Sequence, residues 1–579
     1  MPEEVDAIMY SKVTFLVVCC VFYFFLSSTV LDGMKMFLWS TSVQTHHQHC
    51  IDRTVEKHGD FTKNDKRPQQ GQENGNMTNP SSSLLQDLAQ EDSSSACSSQ
   101  DIEQTRIGVY VTLVVCASAV GGFMFGYDTA CISSILIFLD SGSLELSYKQ
   151  KEIVTGMTSV GSFFGSLGAS VLTDTMGRKS VITVCCVIFT LAAIQLGFCQ
   201  SVIAIIWGRL TVGFAVGAAS MVVPVYISEV APSKRRGTLL ALNSITTTGG
   251  QFLANIAALC VASSKYNWRL MFLFSGIPPV LFLLVVGFIP ESPRYLILHQ
   301  EYDKAELAIS NLYPYASAEQ VQSKVSSIAE DIRLNEERHK LPLHSRLFGS
   351  GATIRALTVG CGLMFYQQAS SFNSFMYYGA TIFKMVGVGN PLVVSILISG
   401  TNFGFTFVAL WLIDRVGRRS MLLRTVWIMS LSLFVAGIAF SKVKVPQSSE
   451  ALSVNSYSVL LLVSVLSFVA SYASALGTVP WSSVEFLPLE ARAPGSAIIA
   501  ATGWLTNSLV SVTYLSLVGL TSLSATSIIF SVICLAGWLA VYKWYPEVNG
   551  LSLEDVRHVF EGGIDIHYVS RRGITKISP

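Results

Sequence analysis

Apolar runs long enough to cross a ~30 Å hydrocarbon layer recur at about 107–139, 152–173, 180–199, 202–228, 238–262 and 268–289. A second set falls near 354–384, 392–413, 421–440, 457–484, 494–519 and 523–545. The runs are continuous rather than alternating, which predicts helices and not a barrel. The expected fold is therefore an all-α integral membrane protein with twelve transmembrane helices in two six-helix halves, residues 106–289 and 353–545. Between them, residues 290–352 carry Glu330, Asp331, Arg333, Glu336, Glu337, Arg338 and Lys340, a pattern that predicts short amphipathic helices at the membrane surface. Residues 546–579 form a C-terminal tail, and residues 1–105 stand apart. There Val13–Leu31 is an uncharged apolar run, which reads as a thirteenth span, a signal peptide or sequence from a mispredicted gene start. The polar stretch after it reads as a disordered tail.

The two sets share an internal repeat. Asp174-Thr-Met-Gly177-Arg178-Lys179 returns as Asp414-Arg-Val-Gly417-Arg418-Arg419, 240 residues on. Pro290-Glu291 returns as Pro546-Glu547, and Glu229 as Glu485, both 256 residues on. Two homologous halves imply a transporter with its site at their interface near mid-membrane. Lys and Arg concentrate after spans two, four and eight, at Arg178, Lys179, Lys234, Arg235, Arg236, Arg415, Arg418 and Arg419. That bias predicts cytoplasmic even-numbered loops, with both termini on the same side.

Composition narrows the function classes. Hydrophobic residues make up 51% and charged ones 13%, about half the usual charged share. The net charge of +1 argues against a nucleic-acid binder driven by a basic surface. Most of the twelve Cys sit in or beside apolar runs, where a thiol behaves as a small hydrophobe. His46, His47, His49 and Cys50 cluster in the polar stretch, where chance enrichment outweighs a metal site. Neither a metal nor a cofactor is expected. No span holds a His, a metal-ligand cluster or a nucleophile–base pair, so an enzyme is not expected either.

Charges inside a bilayer are costly and usually functional. Away from span ends the first half contains two, Asp128 in span one and Arg209 in span four. Counted at helical rise, they lie at roughly 16 Å and 10 Å from the same membrane face, so a pair is expected. It is either a static pair fixing helix register or a proton switch in which Asp128 takes up a proton and releases Arg209. An arginine keeps its proton, so the carboxylate must be the titrating member. Uncharged polar groups gather elsewhere: Gln251, Gln367, Gln368, Asn373, Asn402, Trp481, Trp504 and Asn507. Amides for hydroxyls and an aromatic face for C–H groups suit a neutral polyol or sugar. The same residues also serve as glue between helices or as interfacial anchors.

Gly126-Tyr127-Asp128-Thr129, Gly208-Arg209, Asp174…Gly177-Arg178-Lys179 and Pro290-Glu-Ser-Pro-Arg294 resemble the sugar-porter family of the major facilitator superfamily. So do Gln367-Gln368…Asn373, Asp414…Gly417-Arg418-Arg419 and Val479-Pro-Trp481. The resemblance covers about residues 106–558, with motifs from both halves in order. Ser371-Phe-Asn373-Ser-Phe-Met-Tyr-Tyr378, Gly400-Thr-Asn402-Phe-Gly-Phe-Thr406 and Gly550-Leu-Ser-Leu-Glu-Asp-Val556 are similar to fungal myo-inositol–proton symporters. The resemblance implies that Asp128 couples the proton with Arg209 as its partner. It implies a substrate site of Gln251, Gln367, Gln368, Asn373, Asn402, Trp481 and Asn507. It further implies a cytoplasmic latch of Asp174, Arg178, Glu229, Arg235, Asp414, Arg418, Glu485 and Arg492. The expectation is proton-coupled uptake of myo-inositol at the plasma membrane, with the polyol, the proton and the lipid bilayer as partners. A hexose or pentose carrier of the same family, coupled or facilitative, is the alternative, and a sugar-sensing receptor ranks behind both. The chain departs from hexose porters at Ser244 after Asn243 and at Gly503 before Trp504, which weakens a glucose assignment. Ala493-Pro494 and Pro546-Glu-Val-Asn-Gly550 depart at the C-terminal side of the latch.

Overall fold

The computed structural model describes residue 102 and residues 109–140, 146–232, 236–339, 342–386, 390–443, 456–548 and 553–568. Within these, the side chain of Asp414 and those of a few other helix residues lie outside the described set. The apolar run at 13–31, the His46–Cys50 cluster and Arg235 also lie outside it.

Each expected span corresponds to helix, and among the described residues nine segments are long and apolar enough by themselves to cross a membrane. Six of the twelve spans are single helices of simple outline: span three is Arg178–Phe198, span four Val202–Val230, span eight Pro391–Val416, span nine Arg418–Lys442, span eleven Leu489–Leu520 and span twelve Leu523–Trp544. The three spans that miss the apolar threshold are the ones richest in polar or broken helix. Span two is Tyr148–Met176, span five Arg236–Val261, and span seven is split into Gly351–Ala369 and Phe372–Met385. Buried Ser and Thr in span two and buried amides in spans five and seven pack against other helices, so hydropathy undervalues them.

The remaining spans are interrupted. Span six divides at Gly276 into Asn267–Ser275 and Ile277–Val285, with Pro278 and Pro279 starting its second piece. Span one divides into Val109–Ser118 and Val120–Asp140. Span ten runs Ser456–Ser471, takes one π-helical turn over Tyr472–Leu476, and resumes at Val479–Ser482. In span seven the joint is Ser371, held in the left-handed region at φ 66°. Residues 290–352 contribute helices Pro293–Leu298, Tyr302–Leu312, Ala318–His339 and Leu343–Phe348. Beyond span twelve, Leu553–Glu561 packs against the start of span seven, where Arg355 donates to the carbonyls of Phe560 (2.8 Å) and Glu561 (2.7 Å).

The repeat is visible as paired turns at one end of the bundle, here called the basic end. Gly177 (φ 89°) and Gly417 (φ 87°) each join two spans in a conformation that favours glycine. A Cβ on Gly177 would also strike Glu291, and one on Gly417 would strike Glu547. Those carboxylates cap the helices that follow. Glu291 Oε1 accepts from the backbone N–H of Arg178 (2.9 Å) and Lys179 (3.0 Å). Glu547 accepts from the N–H of Arg418 (3.2 Å) and Arg419 (2.9 Å). An anion there satisfies orphan donors and opposes the helix dipole. Glu291→Ala is expected to cost about 1 kcal/mol, visible as a lower Tm of the detergent-solubilised protein, with Glu291→Asp recovering part of it.

Candidate functional site

Asp128 and Arg209 meet inside the first half. Asp128 is 4% exposed and Arg209 1%, and Arg209 Nη1 donates to Asp128 Oδ1. Gly208 and Gly213 let span four lie close to its neighbours, so the arginine stem reaches inward rather than out to lipid. The expected pair therefore exists, and both charges are almost wholly removed from solvent.

The amides form two groups at mid-depth. In span seven, Asn373 Nδ2 donates to Gln368 Oε1 (2.6 Å), and Gln368 Nε2 donates to Gln367 Oε1 (3.1 Å). Gln367 Nε2 then donates to the carbonyls of Leu476 (2.7 Å) and Gly477 (3.2 Å) in span ten. That last step has a backbone cause. A continuing helix would satisfy the Leu476 carbonyl with the N–H of residue 480, and Pro480 has none. Gln367 supplies the missing donor. Gln368 and Asn373 flank the break at Ser371 and are only partly buried, so they are the accessible members of the chain.

The second group lies between the halves. Asn402 Nδ2, on span eight, donates to Gln251 Oε1, on span five, at 2.6 Å. Around it Phe252 and Phe403 stack at 5.9 Å, each ring lying over the other helix's glycine, Gly400 and Gly249. Gly249-Gly-Gln251-Phe252 thus meets Gly400-Thr-Asn402-Phe403 in a reciprocal contact. Asn507, the repeat partner of Gln251 at the 256-residue offset, occupies the other seam. It accepts from Ser159 Oγ of span two (3.3 Å) and donates to the Tyr377 hydroxyl (3.2 Å).

Trp481 stands outside these groups. The residue is 39% exposed, and among the described residues it shares no hydrogen bond with the amides. Trp504 is the buried indole instead, edge-on to Phe125 with ring centroids 5.2 Å apart and its Nε1 without a partner among the described residues. Next to it, a Cβ on Gly503 would press on Met364, so a methionine side chain fills the room beside that glycine.

At the basic end Arg178 grips Glu229 with Nε 3.0 Å from Oε2 and Nη2 3.1 Å from Oε1. Asp174 lies 3.7 Å from Arg178 and is largely exposed. In the second half Arg418 Nη2 is 3.2 Å from Glu485 Oε2. These pairs lie within one half each. Arg492 donates to the Leu487 carbonyl at 3.4 Å. The Asp414 side chain and Arg235 fall outside the described residues.

Sequence patterning leaves Lys151 in a loop and Glu152 at the very edge of span two, and the structure draws both into the helix. The capping box of Ser147 and Gln150 starts span two at Tyr148, so Lys151 and Glu152 are carried into the bundle and buried. Lys151 pairs with Asp140 at 2.7 Å. Glu152 accepts from Ser516 of span eleven through both the backbone N–H and the hydroxyl, each at 2.6 Å. Ser133 accepts from the Ala380 N–H at 3.1 Å. The end opposite the basic one is therefore sealed between the halves. Toward the basic end, span five has no buried residue from Gly237 to Gly249 and becomes buried only at Gly250. The bundle is closed at the far end and open toward the basic end.

The "Sugar (and other) transporter" family model matches residues 113–560. A probable metabolite transport protein of Saccharomyces cerevisiae is 40% identical, covering 81% of this chain and 95% of its own. Myo-inositol transporter 1 of Cryptococcus neoformans is 37% identical, covering 80% and 83%. Myo-inositol transporter 1 of Saccharomyces cerevisiae is 34% identical, covering 79% and 80%. Among solved structures, the major facilitator proton:xylose symporter XylE bound to 6-bromo-6-deoxy-D-glucose superposes with a TM-score of 0.65 at 24% identity, covering 78% and 99%. Helix at every one of the expected spans, amides bonded across the two halves and a family model over most of the length lead to one conclusion: this chain belongs to the sugar transporter family of the major facilitator fold and is a multi-pass membrane transporter, not an enzyme.

Proposed function

We propose that this transporter carries myo-inositol inward across the plasma membrane together with a proton, with its basic end and both termini in the cytoplasm. The Asp128–Arg209 pair carries the coupling half of this reading. A buried carboxylate beside a guanidinium that cannot deprotonate has one economical way to release it, which is to bind a proton.

The substrate half rests on neutral amides. Gln251, Gln367, Gln368, Asn373, Asn402 and Asn507 present donors and acceptors without charge, and in the structure several of them are bonded to one another. A polyol entering from the open end would exchange these mutual bonds for bonds to its hydroxyls, which is close to neutral in hydrogen-bond number. Relatives named as myo-inositol transporters support this polyol over a hexose. The basic end carries Arg178, Lys179, Arg418 and Arg419, which supports a cytoplasmic assignment. In the opposite state, open outside, Arg178, Glu229, Arg418, Glu485 and Arg492, with Asp174, Asp414 and Arg235, would draw the cytoplasmic ends of the halves together.

The test is uptake of labelled myo-inositol in cells lacking their own carriers, in competition with unlabelled glucose, xylose and other inositol isomers. Myo-inositol is expected to compete best, and uptake is expected to rise as external pH falls from neutral into the acid range. Stronger competition by glucose or xylose would reassign the substrate, and a flat pH profile would remove the proton.

A further inference from the structure

Glu152 is a carboxylate in an unexpected place. It is 2% exposed, sits on span two of the first half, and among the described residues directs its hydrogen bonds to Ser516 on span eleven of the second. Its neighbour Lys151 is committed to Asp140. Two short bonds from a neutral serine compensate a buried negative charge only in part, because a carboxylate offers about four acceptor sites. Sealing two helices against each other does not require a charge there. One turn deeper the same seam is closed by Val512 and Ser511 packing on Gly156, with no charge needed.

The difference between the two contacts lies in what happens when the seam parts. Val512 and Gly156 gain nothing from water. The carboxylate is fully solvated by it, so the group that costs most in the closed state is the one best satisfied in the open state. We propose that Glu152 is a gate-setting residue of the far end, whose negative charge, held in the closed state by Ser516, keeps that closure reversible. It is a positioning residue and touches no substrate. The proposal rests on the transporter reading for its cycle and on the cytoplasmic basic end only for which face is outside.

Opposite effects follow from changing the two partners. Ser516→Ala removes the hydroxyl and leaves a buried carboxylate oxygen unbonded, which weakens the closed state. Glu152→Gln keeps the shape and can bond both groups of Ser516 without carrying charge, which strengthens it. The readout is the rate at which a membrane-impermeant thiol reagent labels Val512→Cys, normalised to folded protein, in right-side-out and inside-out vesicles without substrate. Relative to Val512→Cys alone, Ser516→Ala is expected to raise labelling from the far side about ten-fold or more, and Glu152→Gln to lower it. In the Glu152→Gln background the effect of Ser516→Ala is expected to shrink to less than about two-fold. Ser516→Thr, which keeps the hydroxyl, is expected to restore the original rate.

Labelling unchanged by Ser516→Ala, or raised equally in the Glu152→Gln background, overturns the proposal. If Ser516→Ala does not fold, Glu152→Gln decides by itself, since unchanged or faster labelling contradicts a charge that favours opening. Far-side labelling found in inside-out rather than right-side-out vesicles would overturn the assigned orientation and leave the gate role supported. Loss of myo-inositol uptake in the parent carrier would touch only the substrate.

Discussion

Asp128→Asn is expected to abolish accumulation of myo-inositol against its gradient while exchange of substrate across the membrane continues at a reduced rate. The amide matches the carboxylate in shape and keeps an oxygen facing Arg209, so the hydrogen bond has a replacement. The charge has none, and Arg209 is 1% exposed. Removing one member of a buried ion pair costs about 3–5 kcal/mol when the other stays charged, so the amount of folded carrier must be measured alongside transport. Among the molecules that fold, the site at position 128 no longer binds and releases a proton, and the downhill proton gradient no longer does work on the substrate. The accumulation ratio is therefore expected to fall to that of equilibration. The rise of uptake with external acidity, present in the parent, should flatten in the variant. Normal accumulation by Asp128→Asn would exclude coupling through this residue and leave the ion pair as a fixed register lock.

The expected pair was legible because charge within an apolar run is so rare that two residues at matching depth point to each other. The spans were legible for the same reason: uninterrupted apolar length, one side chain after another, needs no tertiary information. What escaped depends on local chemistry that hydropathy averages away. Pro480 stood in the sequence, yet only the structure shows that its missing N–H is answered by Gln367, on a helix more than a hundred residues earlier. Ser371 breaks span seven with no proline or glycine to mark the place. Glu152 was assigned to the edge of span two because an apolar run ends where a charge begins. Ser147-Tyr-Lys-Gln150 has the spacing of a capping box, and that signal would have started the helix early enough to bring Glu152 inside. The contact of Gly249-Gly-Gln-Phe252 with Gly400-Thr-Asn-Phe403 joins segments that do not share the repeat offset, so a search for repeats passes over it. Gln251 and Asn507 do share it, and each of them lies on a seam between the halves.

Gln367 and Gln368 are adjacent in sequence, and their alanine substitutions are expected to fail in different ways. Gln368 is partly buried and its side-chain bonds go to Asn373 and Gln367, groups that can be re-paired when a polyol enters. Gln368→Ala deletes one or two bonds to substrate hydroxyls, worth about 1–3 kcal/mol where the partner is buried. The half-saturation concentration for uptake should rise about ten- to a hundred-fold, with the amount of folded carrier little changed. Gln367 is 2% exposed and serves the backbone of span ten, where Leu476 ends a π-helical turn, Gly477 follows it and a proline lies just ahead. Gln367→Ala leaves a buried carbonyl without a donor and opens a cavity at the same point, and both effects act on the fold. Its expected result is a lower Tm and less carrier in the membrane, with a smaller change in half-saturation than Gln368→Ala produces. Equilibrium binding to purified protein separates the two, because it reports affinity per folded molecule. An unchanged affinity in Gln368→Ala would remove that residue from the substrate site, whereas full stability in Gln367→Ala would mean that span ten bends without help from span seven.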